Sequence, residues 1–271
     1  FNPPRYLRLL EIIPTPFTDT AVVDFLMHYG DLYLGKTTVL TKDTPAFIAN
    51  RIGVFGMMAI MKIMEKLQLS IDEIDALTGP LAGRPKSATF RTADVVGIDT
   101  LIKVAKGVYD NCPNDEAKDI FNIPAWLNKM VENNWLGDKT GQGFFKKVKT
   151  PEGKSDIQVL NLQTMEYTAR QRPKFATLEA AKPIEDLPAR LKILINGTDK
   201  AGEFYRQFHY SLFSYISHRI PEISDEVYRL DDAMMAGFGW EIGAFESWDA
   251  SGLAKTTEAM KAAGFTVAKW V

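Results

Sequence analysis

The 271 residues hold one cysteine, three histidines, no excess of charge of either sign and no long apolar run. Each shortage excludes something. A lone Cys112 cannot close an internal disulfide, which makes a reducing compartment, the cytoplasm, the simplest setting. No segment approaches the roughly 20 consecutive apolar residues that cross a bilayer. No charged stretch followed by an apolar one marks a leader, and because the chain opens on Phe1 rather than Met, its natural N-terminus is expected upstream. Lys and Arg at 32 against Asp and Glu at 34 leave a net charge of −2, so no basic field draws in nucleic acid or an anionic membrane. An anionic ligand has to be met by a local patch. His28, His209 and His218 share no spacing with a cysteine or an acidic pair, so no metal site is expected. Nor is there a Gly-X-Gly-X-X-Gly loop to receive a dinucleotide pyrophosphate.

What is present is a globular composition, 46% hydrophobic and 24% charged, with room for one large domain or two small ones. Leu7 to Ile13 read as a short buried strand stopped by Pro14 and Pro16. Thr18 or Asp19 is placed to cap a helix running to about Leu34, with Val22, Val23, Phe25, Leu26 and Tyr29 on one face. Thr37 to Leu40 is β-branched and suits a second strand. From Phe47 to Leu67 nearly every residue is apolar or small, the pattern of a central helix buried on most sides.

Further helices are expected at about 71–78, 92–110, 122–133, 187–195, 203–219, 224–235 and 256–263. A Lys-rich stretch with Pro151 and Gly153, then a polar run from Thr164 to Arg172, reads as a connection. A faint internal repeat joins Ile71-Asp72-Glu73-Ile74, Phe90, Asp94 and Gly97 to Ser224-Asp225-Glu226-Val227, Phe245, Asp249 and Gly252.

Several of these segments also carry a resemblance. Phe1-Asn2-Pro3-Pro4 followed by Leu9-Leu10-Glu11-Ile12-Ile13, and Thr44-Pro45-Ala46-Phe47 followed by Asn50-Arg51, resemble L-3-hydroxyacyl-CoA dehydrogenases. In that family a His-Phe-Phe-Asn-Pro segment precedes a strand with the catalytic Glu, and a Thr-Pro-Gly-Phe-X-X-Asn-Arg helix start supplies a substrate-binding Asn. Lys139-Thr140-Gly141-Gln142-Gly143-Phe144-Phe145 and Gly239-Trp240-Glu241-Ile242-Gly243-Ala244-Phe245-Glu246 resemble two further motifs of the family, Lys-Thr-Gly-X-Gly-Phe-Tyr and Gly-Tyr-Pro-Met-Gly-Pro-Phe-Glu.

The resemblance implies a mainly α fold: two tandem helical units like the C-terminal domain of 6-phosphogluconate dehydrogenase, behind a strand-helix-strand remnant of a Rossmann-type α/β domain. The expected division is 1–43 for the remnant, 44–147 for the first helical unit, 148–183 for a connector and 184–271 for the second unit. It further implies an NAD-dependent enzyme of fatty-acid β-oxidation that converts 3-hydroxyacyl-CoA to 3-oxoacyl-CoA. A fused or associated enoyl-CoA hydratase and a homo-oligomer are the expected partners. The catalytic His is expected two positions before Phe1, so this stretch alone is expected to be inactive.

Glu11 matches the carboxylate that fixes the tautomer of that His and stabilises its protonated form; its alternative is to face solvent at a sheet edge, but strand alternation places it on one face with Leu7, Leu9 and Ile13, which favours the functional role. Asn50 matches the amide that hydrogen-bonds the substrate's 3-oxygen or thioester carbonyl. Its plain alternative is an Asn satisfied by nearby backbone. Lys139 matches a residue that approaches the dinucleotide, against the commoner fate of a solvated lysine. Arg84 and Lys86 stand in Gly83-Arg84-Pro85-Lys86-Ser87-Ala88-Thr89-Phe90, where the family has an uncharged motif, and their charge suits a CoA phosphate. Asn2 matches the Asn of the His-Phe-Phe-Asn-Pro segment, and the resemblance implies a structural role in ordering the turn before the His. Met57, Met58, Met61 and Met64 could line an acyl pocket or fill a core.

Two rivals remain. One is a non-catalytic helical module for assembly of a β-oxidation complex, in which Glu11 and Asn50 are incidental. The other is the helical half of a related 3-hydroxy acid dehydrogenase with a catalytic Lys, for which Lys62 is the available residue. The Asn50-Arg51 match argues against it.

Overall fold

Leu9-Leu10-Glu11-Ile12 is too short and too apolar to stand alone, and it pairs in parallel with Thr37–Leu40, matching Leu9 to Thr37 and Glu11 to Val39. A parallel pair needs a crossover. Helix α1 (Thr20–Leu32) supplies it, capped by Asp19, whose carboxylate accepts from the Ala21 N–H. These strands are β1 and β2. The computed structural model describes residues 1, 3–150 and 153–271.

The rest is mainly helical: α2 (Ala49–Leu67), α3 (Ile71–Leu77), α4 (Phe90–Val96), α5 (Ile98–Asn111) and α6 (Ala125–Glu132). A small antiparallel sheet follows, ordered β3-β4-β5 (Phe145–Lys149, Ser155–Asn161, Glu166–Ala169). After it come α7 (Ala176–Ala181), α8 (Leu187–Ile195), α9 (Lys200–His218), α10 (Val227–Phe238), α11 (Ala244–Ser251) and α12 (Leu253–Ala262). The fold is mainly α. Two compact units divide it, one of Phe1–Gly56 with Arg206–Val271 and the other of Met57–Tyr205. In the first, Val39, Ile48, Ile52, Phe213, Leu230 and Trp248 are buried. In the second, Met58, Met61, Ile74, Phe90, Leu127 and Phe144 are.

Several local expectations are revised. The helix expected over 92–110 is two, because Gly97 takes φ +99°, a conformation costly for other residues, between α4 and α5. Strands β3, β4 and β5 form a sheet where a plain connection was expected; their exposed positions include Lys, Ser, Asp and Glu, so no apolar alternation announced them. Helix α11 was hidden among the glycines at 239, 243 and 252, which read as turns. Met58, Met61 and Met64 are core. The face of α1 is apolar as its period says, yet Phe25 is 61% exposed and Tyr29 41%. Period identifies a face; it does not say what covers it.

Candidate active site

Strand β1 presents Glu11 to the start of α2. Its Oε1 accepts from the Ile48 N–H at 2.9 Å and the Ala49 N–H at 3.0 Å, two donors that the opening of a helix leaves without intrahelical partners. The carboxylate therefore caps a helix 37 residues further along the chain. Burial pushes the Glu11 carboxyl above the usual carboxylate range, opposed by the N–H groups of Ala49 and Ile48. Its second oxygen meets no donor, and no imidazole, among the described residues. A carboxylate fixed through one oxygen and open at the other suits the orientation of a donor brought to it.

Asn50 follows immediately, half-buried on the first turn of α2. Among the described residues its side-chain amide has no hydrogen-bond partner in the protein, so the alternative of an Asn satisfied by local backbone does not describe it. The turn that leads into the helix is strained: Ala46 has φ +65° and Phe47 φ +54°, both left-handed and neither glycine. The sequence assigned no role to Arg51, which is completely buried. Its signal was a lone charge in an apolar helix.

The remaining candidates lie in the other unit. Lys139 ion-pairs with Asp99. Arg84 sits beside Tyr205, where burial draws its pKa down to about 9, still a cation at neutral pH. Lys86 is exposed on the wall of a cleft of about 640 Å³ shared with Arg91, Lys147, Arg170, Arg172 and Phe145. Arg91 and Arg170 are paired to Asp138 and Asp72. Lys62 has its ammonium on the Asp119 carbonyl, and burial lowers its pKa. Asn2 lies outside the described residues. Among the described residues no group of His, Cys, Asp and Glu is arranged to hold a metal, and no helix is long and apolar enough to cross a membrane.

Residues 47–147 match the family described as 3-hydroxyacyl-CoA dehydrogenase, C-terminal domain. The whole chain aligns at 45% identity with 34% of a Bacillus subtilis (strain 168) protein named "Probable 3-hydroxyacyl-CoA dehydrogenase". The chain belongs to the L-3-hydroxyacyl-CoA dehydrogenase family. It is also 28% identical, over 91% of its length and 33% of the relative's, to a Rickettsia felis protein provisionally named a fatty acid oxidation complex trifunctional enzyme. The chain thus spans about a third of the length of these relatives. The fold is that of the 3-hydroxybutyryl-CoA dehydrogenase of Escherichia coli K12, with a TM-score of 0.60 at 16% identity over 95% of this chain and 63% of that one.

Proposed function

We propose that this chain is the substrate-holding helical region of an NAD-dependent L-3-hydroxyacyl-CoA dehydrogenase of fatty-acid β-oxidation, interconverting 3-hydroxyacyl-CoA and 3-oxoacyl-CoA. The observation that carries the reading is the junction of β1 and α2, where Glu11 grips the two N–H groups just before Asn50 and the Asn50 amide has no hydrogen-bond partner among the described residues. In this reading Asn50 donates to the substrate's 3-oxygen or thioester carbonyl, a bond that tightens as negative charge grows there. The open oxygen of Glu11 orients the imidazole that takes the hydroxyl proton.

NAD, when bound, accepts the hydride from carbon 3. The residues of this chain do not frame a seat for it: β1 and β2 form a parallel sheet of two strands, the sequence has no Gly-X-Gly-X-X-Gly, and the Lys139 ammonium is on Asp99. Turnover therefore belongs to the full-length protein, and this region alone is inactive. Residues 1–43 complete a nucleotide-binding domain, with helical units at 44–147 and 184–271. Lys86, exposed on its cleft, is better placed than Arg84 to meet a CoA phosphate. The relative named as a trifunctional enzyme supports a multifunctional protein, in which an enoyl-CoA hydratase is the proposed partner. A cytoplasmic setting follows from the same reading.

The test is acetoacetyl-CoA-dependent NADH oxidation by the full-length protein. Asn50→Ala, with folding retained, is expected to lower kcat on the order of 100- to 1,000-fold, the loss typical of a missing oxyanion donor. Unchanged activity would leave the region an assembly module.

A further inference from the structure

We infer that residues Tyr215 to Asp225, at the end of α9 and in the loop beyond it, are the clamp that positions Asn50, with Tyr215 and Glu222 as its positioning residues. The inference rests on the reading of Asn50 given above.

It starts from Arg51, next to Asn50 and fully buried. A guanidinium is held in such a place only when its donors are used. Arg51 Nε donates to the Tyr215 hydroxyl at 2.6 Å, one terminal nitrogen to Glu222 at 3.1 Å, and the other to the Pro45 carbonyl at 3.4 Å. Glu222 turns its second oxygen to Arg219 at 2.6 Å, so one carboxylate bridges two buried cations. One turn further along α2, the Phe55 ring lies flat on Tyr215, with centroids 3.7 Å apart and planes within 2°. The same loop grips the chain before the turn. The Lys42 N–H donates to the Ile223 carbonyl at 3.0 Å, the Thr41 hydroxyl to the same carbonyl at 3.1 Å, and the Lys42 ammonium meets Asp225 at 2.6 Å.

The segment that leads into Asn50 is thus held at three places: at 41–42, at the Pro45 carbonyl and at Arg51. Between the last two lie Ala46 and Phe47, whose left-handed backbone persists only because its surroundings determine it. Glu11 holds the helix opening from one strand; the Tyr215–Asp225 segment holds it from the second helical stretch. Asn50 is the second residue of α2, and the second residue of α9, Ala201, is a buried alanine, so that stretch carries no counterpart of the Asn50 amide at the same helical position. What it contributes is placement.

Placement matters because a misfit of about 1 Å at a reacting group costs on the order of 100-fold in rate. Tyr215→Phe keeps the ring and its stack on Phe55 but removes the oxygen that receives Arg51. Glu222→Gln keeps the size and removes the charge; it serves if Tyr215→Phe fails to fold. In the full-length protein with acetoacetyl-CoA and NADH, each is expected to lower kcat roughly 10-fold with little change in KM. Combined with Asn50→Ala, neither is expected to lower kcat further, since the amide being placed is gone. Full kcat in both variants while Asn50→Ala is crippled would overturn the inference. So would losses that multiply through in the Asn50→Ala background, the mark of a merely structural role. Full activity of Asn50→Ala itself would remove the reading of the site, and this inference with it.

Discussion

Helices α2 and α9 have the same length, 19 residues, and each is opened by a carboxylate, but the two carboxylates differ in origin. For α9 it is Asp199, the residue just before the helix, which accepts from the Gly202 N–H at 3.0 Å and from the Thr177 N–H and hydroxyl. Burial works against its charge, yet these bonds win and hold the Asp199 carboxyl below its usual range. For α2 it is Glu11, brought from a distant strand, and there burial wins and raises the pKa. A cap meant only to start a helix is cheapest when local. A cap imported from a sheet, with one oxygen left over, does something besides.

The elements that follow match before they diverge. Asp75 on α3 accepts from the Phe90 N–H at 2.7 Å and so caps α4; Asp231 on α10 accepts from the Phe245 N–H at 2.7 Å and so caps α11. Gly97 and Gly252 both turn with positive φ into the next helix. The register of the repeat is corrected accordingly, with Ile71 answering to Val227, the first residue of its helix, rather than to Ser224. The partners diverge at Asp94 and Asp249. Asp94 is buried and accepts from the N–H groups of Phe144 and Phe145 at 2.8 and 2.9 Å, and Gly143 lies so close that any side chain there would strike it. Asp249 is exposed. The scaffold is repeated; the bonds that Asp94 makes are not.

The largest effect expected from breaking this comparison is at that divergent pair. Asp94→Ala strands two buried N–H groups and is expected to cost about 2–6 kcal/mol by chemical denaturation, taking about 1–3 kcal/mol for each orphaned group. Asp249→Ala is expected to stay within about 0.5 kcal/mol. Equal costs would mean that the two stretches are the same device throughout.

A shared property comes next. Burial raises both Asp75 and Asp231 to about 7, against the N–H bonds that favour the charged form. The folded protein keeps these protons up to about pH 7, whereas the unfolded chain releases them near pH 4. Their contribution to stability is therefore fullest below pH 4 and is lost as pH rises towards 7, by at most about 1.4 kcal/mol per unit for each group. Denaturation at pH 5 and pH 7.5 is expected to show a shallower dependence in Asp75→Asn and Asp231→Asn than in the parent. Parallel curves would contradict the shared role.

The smallest effect concerns the turn before α2. Ala46 holds φ +65° where the resembling motif has Gly, so Ala46→Gly is expected to raise stability by up to about 1 kcal/mol through relief of that strain. A loss of stability would show that the methyl group is needed there.

Much of this was legible in the sequence. The β1, α1, β2 order, the span of α2 and the bounds of α8 followed from period and punctuation, while Glu11 and Asn50 were nominated by the family resemblance. What was not legible shares a physical cause: it depends on partners far along the chain. Nothing in Ile74-Asp75-Ala76 says that the acid bonds Phe90, although an acid among buried apolar residues was a hint. Arg51 offered the same hint, but its partners, Tyr215 and Glu222, lie more than 160 residues away. The sheet at 145–169 stayed hidden because its pairing is carried by backbone and its side chains face mostly outward.

The most direct test is Glu11→Gln in the full-length protein, with stability and acetoacetyl-CoA-dependent turnover measured on the same preparation. A glutamine oxygen still accepts the Ile48 and Ala49 N–H groups, so stability is expected to change by less than about 1 kcal/mol. The charge that orients the base is gone, so kcat is expected to fall by on the order of 100-fold or more. Stability preserved with turnover also preserved would contradict the account and reduce Glu11 to a second Asp199.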